Sequence, residues 1–453
     1  MDTITEPTRQ IPVADEVDLC VVGGSCTGLF AAVSAARLGA RVAIVESNGF
    51  FGGSATASLV NVWHSQFDTT GQQRIIAGLT LETVDRLDRR QAVHFFHPAN
   101  ETRYTVLNTE ELKIELDQLA LDAGIRPFLH AHFAAPVVED GKLTAVIFED
   151  KTGRRAIRAS HFIDATGDGD LISRAGLPCY KPDHLQPPTT SAIIRGLGDI
   201  KQRHPDFDLT RVAFDPAYPQ ALERGFLWTA EVPGSADDTM VAGTRMFGTD
   251  SSDADQLTAA EIEGRRQVRA LCDILRENFL PEGSVPLVGL PTKIGLRESR
   301  HARCLHQLTE EELLHGHRFP DGIANGTYRV DVHHMDKPGI TFRYLDGREE
   351  YSVPGRPAEL GRWLEEGAET ATFYQIPYSS LVPQQSTNLL VAGRLVDADQ
   401  AAYGAVRVMV TCNQTGEAAG TAAYLALDAG IGVADVDPQK LRTTMTAAGS
   451  LIV

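Results

Sequence analysis

The sequence predicts an α/β fold in which a domain with a parallel sheet is interrupted by a second, α+β domain. Three observations support this prediction. The stretch from Asp18 to Ser47 has the pattern strand, glycine-rich turn, helix and second strand. A similar pattern, a buried strand that runs into a glycine, returns only after residue 386. Between them, from about Leu177 to Pro383, prolines, histidines and extended segments surround one long helix.

These changes along the chain give the domain boundaries. We expect the first domain to comprise residues 16–60, 105–178 and 386–446, and the second to comprise residues 61–104 and 179–385. Residues 1–15 lack both a basic start and an apolar centre, so we interpret them as a disordered leader and not as a secretory signal. The length of 453 residues exceeds a single ordinary core and agrees with two domains.

The composition excludes several classes of protein. Sixty acidic and 42 basic side chains give a net charge of −18, which argues against nucleic acid as a partner because its binding depends on basic patches. No apolar run reaches the roughly eighteen residues that a membrane span requires. The six cysteines are scattered without a C-x-x-C pair or a zinc-like cluster. We therefore expect reduced thiols, a cytoplasmic location, no metal and a small-molecule substrate; the oligomeric state stays open.

The first unit has the spacing of a dinucleotide-binding motif. After its strand, Gly23, Gly24 and Gly28 let the backbone approach a phosphate. The amide-rich N-terminus of the next helix faces the same phosphate. Glu46 follows the second strand at about the spacing of a carboxylate that accepts ribose hydroxyls. Ser25 stands where the motif has its middle glycine.

Later elements are predicted from caps and periodicity. Asn108 and Glu111 indicate a helix start, and leucines at helical spacing continue to Gly124. Asp140-Gly141 predicts a hairpin turn, after which a strand ends at Gly167. A capping box of Thr258 and Glu261 predicts a long helix over 259–279. A helix of small residues is predicted within the segment GEAAGTAAYLALDAG.

Three further segments complete the pattern of the first unit. They are Gly52-Gly53-Ser54-Ala55-Thr56, Ile163-Asp164-Ala165-Thr166-Gly167 and Asn388-Leu389-Leu390-Val391-Ala392-Gly393-Arg394. Together they resemble the flavin-binding fold of the FAD-dependent oxidoreductases related to glutathione reductase and fumarate reductase. The segments IGLRESRHARCLHQLTEEELLHG and AGRLVDADQAAYGAVRVMVTCNQTGEAAG resemble, more narrowly, one family of FAD-dependent oxidoreductases. The resemblance implies a Rossmann-like FAD-binding domain of the glutathione reductase type, interrupted by an α+β substrate domain.

The resemblance also implies the residues that bind FAD. Those expected along the pyrophosphate, the ribose and the ribityl chain are Gly23, Ser25, Cys26, Thr27, Gly28, Glu46, Ser47, Gly52, Gly53, Ser54 and Ala55. Those expected near adenine, adenosine and the ribityl phosphate are Phe133, Ala165, Thr166, Gly167, Gly393 and Arg394. The run from Arg407 to Thr411 precedes the last helix of the resemblance, whose positive end would face the flavin N1–C2=O edge.

The chain lacks the parts that two other flavoprotein mechanisms require. It has no second G-x-G-x-x-G motif, so a separate NADPH domain is not expected, and it has no C-x-x-x-x-C pair for disulfide reduction. We therefore expect electrons to pass between the flavin and a substrate, and then to oxygen or another carrier.

Three residues are candidates for the chemistry. Arg297 is predicted on a strand of the second domain, where its guanidinium could hold a carboxylate, a sugar hydroxyl or the flavin O2 edge. His333 is the leading candidate for the base, because it lies two positions after Asp331 on one predicted strand face. His64 is the other candidate; covalent attachment to the flavin is an alternative role, although its surrounding sequence lacks the attachment motif.

The favoured function is an FAD-dependent dehydrogenase or oxidase that moves hydride between a C–H bond bearing a hydroxyl or amine and flavin N5. Two alternatives remain. The segment Gly167-Asp168-Gly169-Asp170 resembles the Asp-Gly turn of aromatic hydroxylases and suggests an NADPH- and oxygen-dependent flavin monooxygenase. The other alternative is a non-catalytic flavoprotein that serves as an electron-transfer scaffold.

Overall fold

The computed structural model describes residues 2–96, 103–334, 337–354 and 356–453. Its strands are β1 (Val13–Val22), β2 (Val42–Val45), β3 (Val62–Trp63), β4 (Val93–Phe96), β5 (Tyr104–Leu107), β6 (Arg126–Phe128), β7 (His132–Glu139), β8 (Lys142–Asp150), β9 (Gly153–Asp164), β10 (Cys179–Tyr180), β11 (Ala192–Arg195), β12 (Trp228–Glu231), β13 (Asp238–Ala242), β14 (Leu287–Gly289), β15 (His301–Ala302), β16 (Gly322–Gly326), β17 (Val330–His333), β18 (Ile340–Arg343), β19 (Arg348–Ser352), β20 (Glu359–Arg362), β21 (Tyr374–Pro377) and β22 (Leu389–Val391). Its α-helices are α1 (Cys26–Leu38), α2 (Gly78–Asp88), α3 (Thr109–Asp122), α4 (Asp170–Arg174), α5 (Leu197–Arg203), α6 (Leu209–Ala213), α7 (Ala254–Asn278), α8 (Glu310–Leu314), α9 (Gln400–Val406), α10 (Met409–Ala429) and α11 (Pro438–Ala447).

A mostly parallel sheet forms the centre of the first domain. Five parallel strands lie in the order β6-β2-β1-β9-β22. On the side where its last residues pair with β22, the first half of β9 pairs with the antiparallel strand β8. Strands β7 and β8 form a hairpin whose turn is the predicted Asp140-Gly141. Strands β2 and β22 are apolar throughout because helices or hairpins cover both faces of the sheet. The late strand therefore returns to the first domain, and the predicted α/β class is confirmed.

Helices α1 and α10 pack against each other through glycines. A Cβ on Gly416 would lie 2.1 Å from the carbonyl oxygen of Thr27, and a Cβ on Gly420 would lie 2.0 Å from that of Ala31. Glycines at this spacing therefore let the two backbones touch. This contact fixes the start of α10 relative to the start of α1.

The second domain is built from small antiparallel sheets. One has the strand order β12-β13-β11-β14 and packs through an apolar cluster against α7, and a meander is formed by β17-β18-β19-β20. Helix α7 begins at Ala254, earlier than the predicted 259, because Asp253 caps it by accepting a hydrogen bond from Gln256 N. Glu261 belongs to no capping box; its Oε1 accepts from Ile294 N at 2.8 Å.

Other boundaries differ from the predicted ones in smaller ways. Strand β1 begins at Val13, inside the segment expected to be a disordered leader, and Pro12 O accepts a hydrogen bond from Ala156 N. Strand β5 (104–107) pairs with β3 and β4, so it lies with the 61–104 segment and not in the parallel sheet. The Asn108 cap of α3 is confirmed, since its side chain accepts from Glu110 N and Glu111 N. Within the described ranges, no helix is long and apolar enough to cross a membrane.

The buried carboxyl group of Glu417 makes the stability of the fold depend on pH. It lies within α10, accepts a hydrogen bond from Ser450 Oγ at 2.9 Å and faces the amides of Leu79 and Thr80. Burial raises the pKa of Glu417 from 4.5 to about 7, although these hydrogen bonds oppose the rise. A raised acid pKa means that folding stability is lost as the pH increases from the unfolded pKa through the folded one.

We therefore expect Glu417→Gln to stabilise the protein in alkaline solution. The free energy of unfolding should exceed that of the wild type by about 3 kcal/mol near pH 8, and the gain should shrink toward about pH 5. Urea unfolding across this pH range measures the difference. The exposed Glu282 provides the control, because Glu282→Gln should change stability little at any pH. A pH-independent difference for Glu417→Gln would contradict the expectation.

Candidate functional site

Four parallel strands end at the same edge of the main sheet. Val22 of β1 pairs with Val45 of β2 on one side and with Asp164 of β9 on the other. Asp164 in turn pairs with Val391 of β22. The residues that follow these ends are Gly23, Glu46, Ala165 and Ala392-Gly393. The carboxyl edge of such a sheet is the usual place for a nucleotide.

The turn after β1 is closed by backbone contact. Gly23 has a φ of +104°, and a Cβ on Gly28 would lie 1.9 Å from Gly23 O. Ser25, which replaces the middle glycine of the motif, caps α1, since its Oγ accepts from Gly28 N at 3.3 Å. The hydroxyl therefore holds the helix start in place, and the substitution leaves the turn intact.

The second glycine loop is fastened to this turn. Gly52 N donates to Gly24 O at 2.9 Å, and Gly53 has a φ of +56°. Ser54 and the buried Ala55 continue the loop. The Cys26 thiol lies 3.6 Å from Gly52 O, and burial raises its pKa to about 12. Cys26 therefore fills the turn and is not a nucleophile.

Glu46 is a buried carboxylate fixed beside the first turn. Its Oε2 accepts from Gly24 N at 2.6 Å, and its Oε1 accepts from Asn48 N at 2.7 Å and from Ser47 Oγ at 3.1 Å. Its backbone continues the sheet, because Glu46 O accepts from Ala131 N. A carboxylate held at this point suits the ribose of a dinucleotide.

The turn after β9 and strand β7 contain the residues that were predicted on the adenosine side. Thr166 N and Thr166 Oγ1 both donate to Asp164 Oδ1, at 3.0 and 2.7 Å, which fixes the turn that contains Ala165. Phe133 lies on β7, and its carbonyl oxygen accepts from Arg174 Nη1 at 3.3 Å. That carbonyl is therefore engaged by the protein itself.

Arg394 brings positive charge to the point where these turns meet. A Cβ on Gly167 would lie 2.5 Å from Arg394 Nη2, and this atom donates to Asp168 Oδ1 at 3.1 Å. Burial lowers the pKa of Arg394, but Asp168 outweighs this effect and the pKa is raised. Gly393 N donates to Thr415 Oγ1 at 2.9 Å, and a Cβ on Gly393 would lie 3.3 Å from Thr27 Cγ2. The turn after β22 thus joins α1 to α10.

Helix α10 begins within the predicted run from Arg407 to Thr411. Its first residue is Met409, so Thr411 lies in the first turn and not before the helix, and α11 follows it along the chain. No side chain in the described part of the chain caps this N-terminus. Its partial positive charge is therefore not neutralised by a capping side chain.

These features fit FAD. Several buried polar atoms in the described part of the chain lack a partner, and those at this edge include Nη1 of Arg394 and the side-chain amide of Asn413 on α10. Unpaired buried donors are costly, and a polar ligand at this edge would satisfy them. The start of α1 with Arg394 would hold the diphosphate, Glu46 the ribose, and the start of α10 the flavin.

The three candidate residues for the chemistry lie around one acid, Asp331. His333 Nε2 lies 3.3 Å from Asp331 Oδ1, and Arg407 Nη2 lies 3.0 Å from Asp331 Oδ2. Burial lowers the pKa of His333 far below its ordinary value, and the positive charges of Arg297, Arg245 and Arg407 lower it further. His333, which is only 7% exposed, is therefore neutral at neutral pH even though it lies beside a carboxylate.

Arg297 lies in an extended segment and not on the predicted strand. Its Nη1 donates to Pro187 O at 2.6 Å and to Thr189 Oγ1. Glu298 Oε1 lies 3.0 Å from His301 Nε2, so these two side chains meet although they are three positions apart. No described strand pairs with residues 297–300, so their side chains do not have to alternate between two faces as they would in a sheet.

Helix α9 connects this segment to Asp331. Tyr403 Oη donates to Arg297 O at 2.9 Å, and a Cβ on Gly404 would lie 2.7 Å from Asp331 O. Arg407 follows directly after the helix. The helix therefore holds Arg297, Asp331 and Arg407 next to the start of α10.

His64 joins the group around Asp331 through Tyr328. Its ring lies 4.2 Å from that of Tyr328, whose hydroxyl donates to Asp331 Oδ2 at 3.1 Å. Burial, followed by the charge of Arg329, lowers the pKa of His64 to about 3. His64 also lines a cavity of about 260 Å³. The structure thus brings all three predicted residues together.

Two residues of this group were missed as site residues from the sequence. Asp331 was noted only as a neighbour of His333 on its strand, and its contacts make it the centre of the group. Arg245 follows β13 in the segment GTRMFG, which carries no motif. Only its burial, at 3% exposure, distinguishes it from a surface arginine. Among the described residues, no three His, Cys, Asp or Glu side chains form a group that could hold a metal ion.

Comparisons with solved structures give distant matches. The geranylgeranyl bacteriochlorophyll reductase-like protein of Thermoplasma acidophilum is 13% identical, with a TM-score of 0.49 over 96% of this chain and 83% of that one. A myxobacterial chondrochloren halogenase is 10% identical, with a TM-score of 0.47 over 95% and 78%. At these values the similarity carries no argument about this chain. No curated protein matches the chain.

A family model gives the assignment. The model described as FAD dependent oxidoreductase matches residues 18–445, nearly the whole chain. The match spans the turns at the sheet edge and the group around Asp331. The chain therefore belongs to the FAD dependent oxidoreductase family, and its cofactor is FAD.

Proposed function

We propose that the chain is a dehydrogenase or oxidase that removes hydride from a carbon bearing a hydroxyl or an amine. When bound, the flavin supplies the two-electron acceptor for that hydride. The observation that supports the proposal is His333, a buried and neutral imidazole beside a carboxylate. Oxidation of an alcohol or amine also releases a proton, and a neutral histidine can accept it.

His333 is proposed as the base. Because burial and three guanidinium groups keep its imidazole unprotonated, it is ready for a proton at neutral pH. Those same charges make it a weak base, so it would take the proton only as the departing hydride makes the substrate more acidic. Asp331, 3.3 Å from Nε2, would then stabilise the imidazolium.

Arg407 and Tyr328 are proposed to position Asp331. Each donates to Oδ2, at 3.0 and 3.1 Å, while Oδ1 faces His333. Two donors on one oxygen fix the direction of the carboxylate. Arg297 would orient the substrate, and His64 would act as the base if His333 does not.

Anaerobic mixing of the purified holoprotein with hydroxyl, amine and enoyl compounds tests this function. We expect a hydroxyl or amine compound to bleach the flavin absorption without NADPH. A strict requirement for NADPH and oxygen would support the monooxygenase alternative. No bleaching by any small-molecule pool would support the electron-transfer scaffold. A protein that purifies without flavin and takes up no FAD would contradict the whole proposal.

A further inference from the structure

Two guanidinium groups, the buried Arg245 and the half-buried Arg297, meet at one threonine. Arg245 Nη1 donates to Thr189 Oγ1 at 2.9 Å, and Arg297 Nη1 donates to the same oxygen. The Thr189 hydroxyl in turn donates to Thr244 O at 3.1 Å. The Thr189 hydroxyl therefore holds the two positive charges close together. Because this hydroxyl is uncharged, it does not neutralise them.

Neither guanidinium has a carboxylate partner in the described part of the chain. The other bonds of Nη1 go to carbonyl oxygens, Thr244 O from Arg245 at 2.7 Å and Pro187 O from Arg297 at 2.6 Å. Arg245 Nε has no partner at all among the described residues. A buried donor without a hydrogen-bond partner, or a buried charge without an opposite charge, lowers the stability of the folded protein.

The surrounding charges do not neutralise this pair. The third nearby guanidinium, Arg407, already binds Asp331, the acid whose charge acts on both Arg245 and Arg297. Burial lowers the pKa of Arg245 to about 10, so the group stays charged at neutral pH. His333 and His64 contribute no negative charge. The group therefore has an excess of positive charge that an anion would offset.

A cavity gives access to this charge. A space of about 570 Å³, lined by α7 and the residues after β13, reaches Arg245. The volume is within the range of small-molecule sites. Arg266 lies on the wall of the same cavity, but it is exposed and pairs with Glu263 at 2.6 Å. Its charge is already compensated, whereas that of Arg245 is not.

We propose that Arg245 and Arg297 bind a carboxylate of the substrate, which makes the substrate a hydroxy acid or an amino acid. This inference rests on the proposed function for the carbon that is oxidised. The free Nε edge of Arg245 has the planar fork that matches a carboxylate in two parallel hydrogen bonds. The carboxylate would lie near His333, because helix α9 contacts Arg297 O through Tyr403 and the backbone of Asp331, the acid beside that imidazole, through Gly404.

Binding of acetate to the holoprotein, measured by calorimetry, tests the site without any turnover. Acetamide has the same shape without the charge, and it should bind at least about ten-fold more weakly. Arg245→Gln and Arg297→Gln should each weaken acetate binding about ten- to hundred-fold while the FAD content stays unchanged. Arg266→Gln, the matched control at the cavity wall, should leave acetate binding as in the wild type.

Several outcomes would overturn the carboxylate site. They are equal binding of acetate and acetamide by the wild type, preference for inorganic phosphate over acetate, and equal weakening by Arg266→Gln. The first two use the wild-type protein and hold even where a buried arginine variant fails to fold. Acetate binding without flavin bleaching by any hydroxy or amino acid would retain the site and reject the proposed function. Bleaching by neutral alcohols with no acetate binding would do the reverse.

Discussion

Replacing His333 by glutamine should slow anaerobic flavin reduction by about 10²–10⁴-fold, the usual contribution of a general base. The amide cannot accept a proton, whereas the neutral imidazole beside Asp331 can. Stopped-flow absorbance measures the rate constant. The FAD content should stay at the wild-type level, because His333 lies on β17, a strand that carries none of the residues predicted to bind FAD.

The neighbouring histidine provides the control. His334 follows directly after β17, and its Nε2 bonds Thr341 Oγ1 at 2.7 Å. His334→Gln should therefore keep most of the rate. In the wild type, the rate should stay level through neutral pH and fall only in acid, because the pKa of His333 is lowered. A normal rate in His333→Gln would transfer the role of base to His64.

Replacing Gly28 by alanine should remove FAD from the purified protein. The added Cβ would lie 1.9 Å from Gly23 O, so the turn after β1 or the start of α1 must move. Either shift withdraws the backbone amides that would bind the diphosphate. We expect FAD to bind roughly a hundred-fold more weakly or worse, as measured by fluorescence titration of the apoprotein.

Gly361→Ala makes the same chemical change where nothing lies within 4 Å of the added carbon. This variant should retain its FAD. Circular dichroism of both variants separates loss of the cofactor from loss of the fold. Wild-type FAD affinity in a folded Gly28→Ala protein would contradict the assignment of the phosphate turn.

Local chemistry made the sheet edge predictable from the sequence. Gly23, Gly28 and Gly393 must be glycine or nearly so, because their backbones touch or take a positive φ. Asn108 caps α3 through its own neighbours, within three residues. Such features depend on short stretches of chain, and a sequence displays them directly.

The group around Asp331 depends on distant parts of the chain and was predicted only in part. Arg245 reaches Arg297 through Thr189, and no motif at any of these positions announces the meeting. The segment after Arg297 was predicted to be a strand, but no described strand pairs with it until His301. The start of α7 was missed because Asp253 is as good a cap as the predicted Thr258.

The most direct test of hydride removal is a single turnover without oxygen or NADPH, using a hydroxy or amino acid selected by the anaerobic screen. The substrate is deuterated at the carbon that carries the hydroxyl or amine, and flavin bleaching is followed by stopped flow. We expect bleaching to proceed, to be measurably slower with deuterium, and to yield the oxo or imino product. Bleaching at the same rate with deuterium, with the labelled carbon left unoxidised, would contradict hydride removal from the substrate.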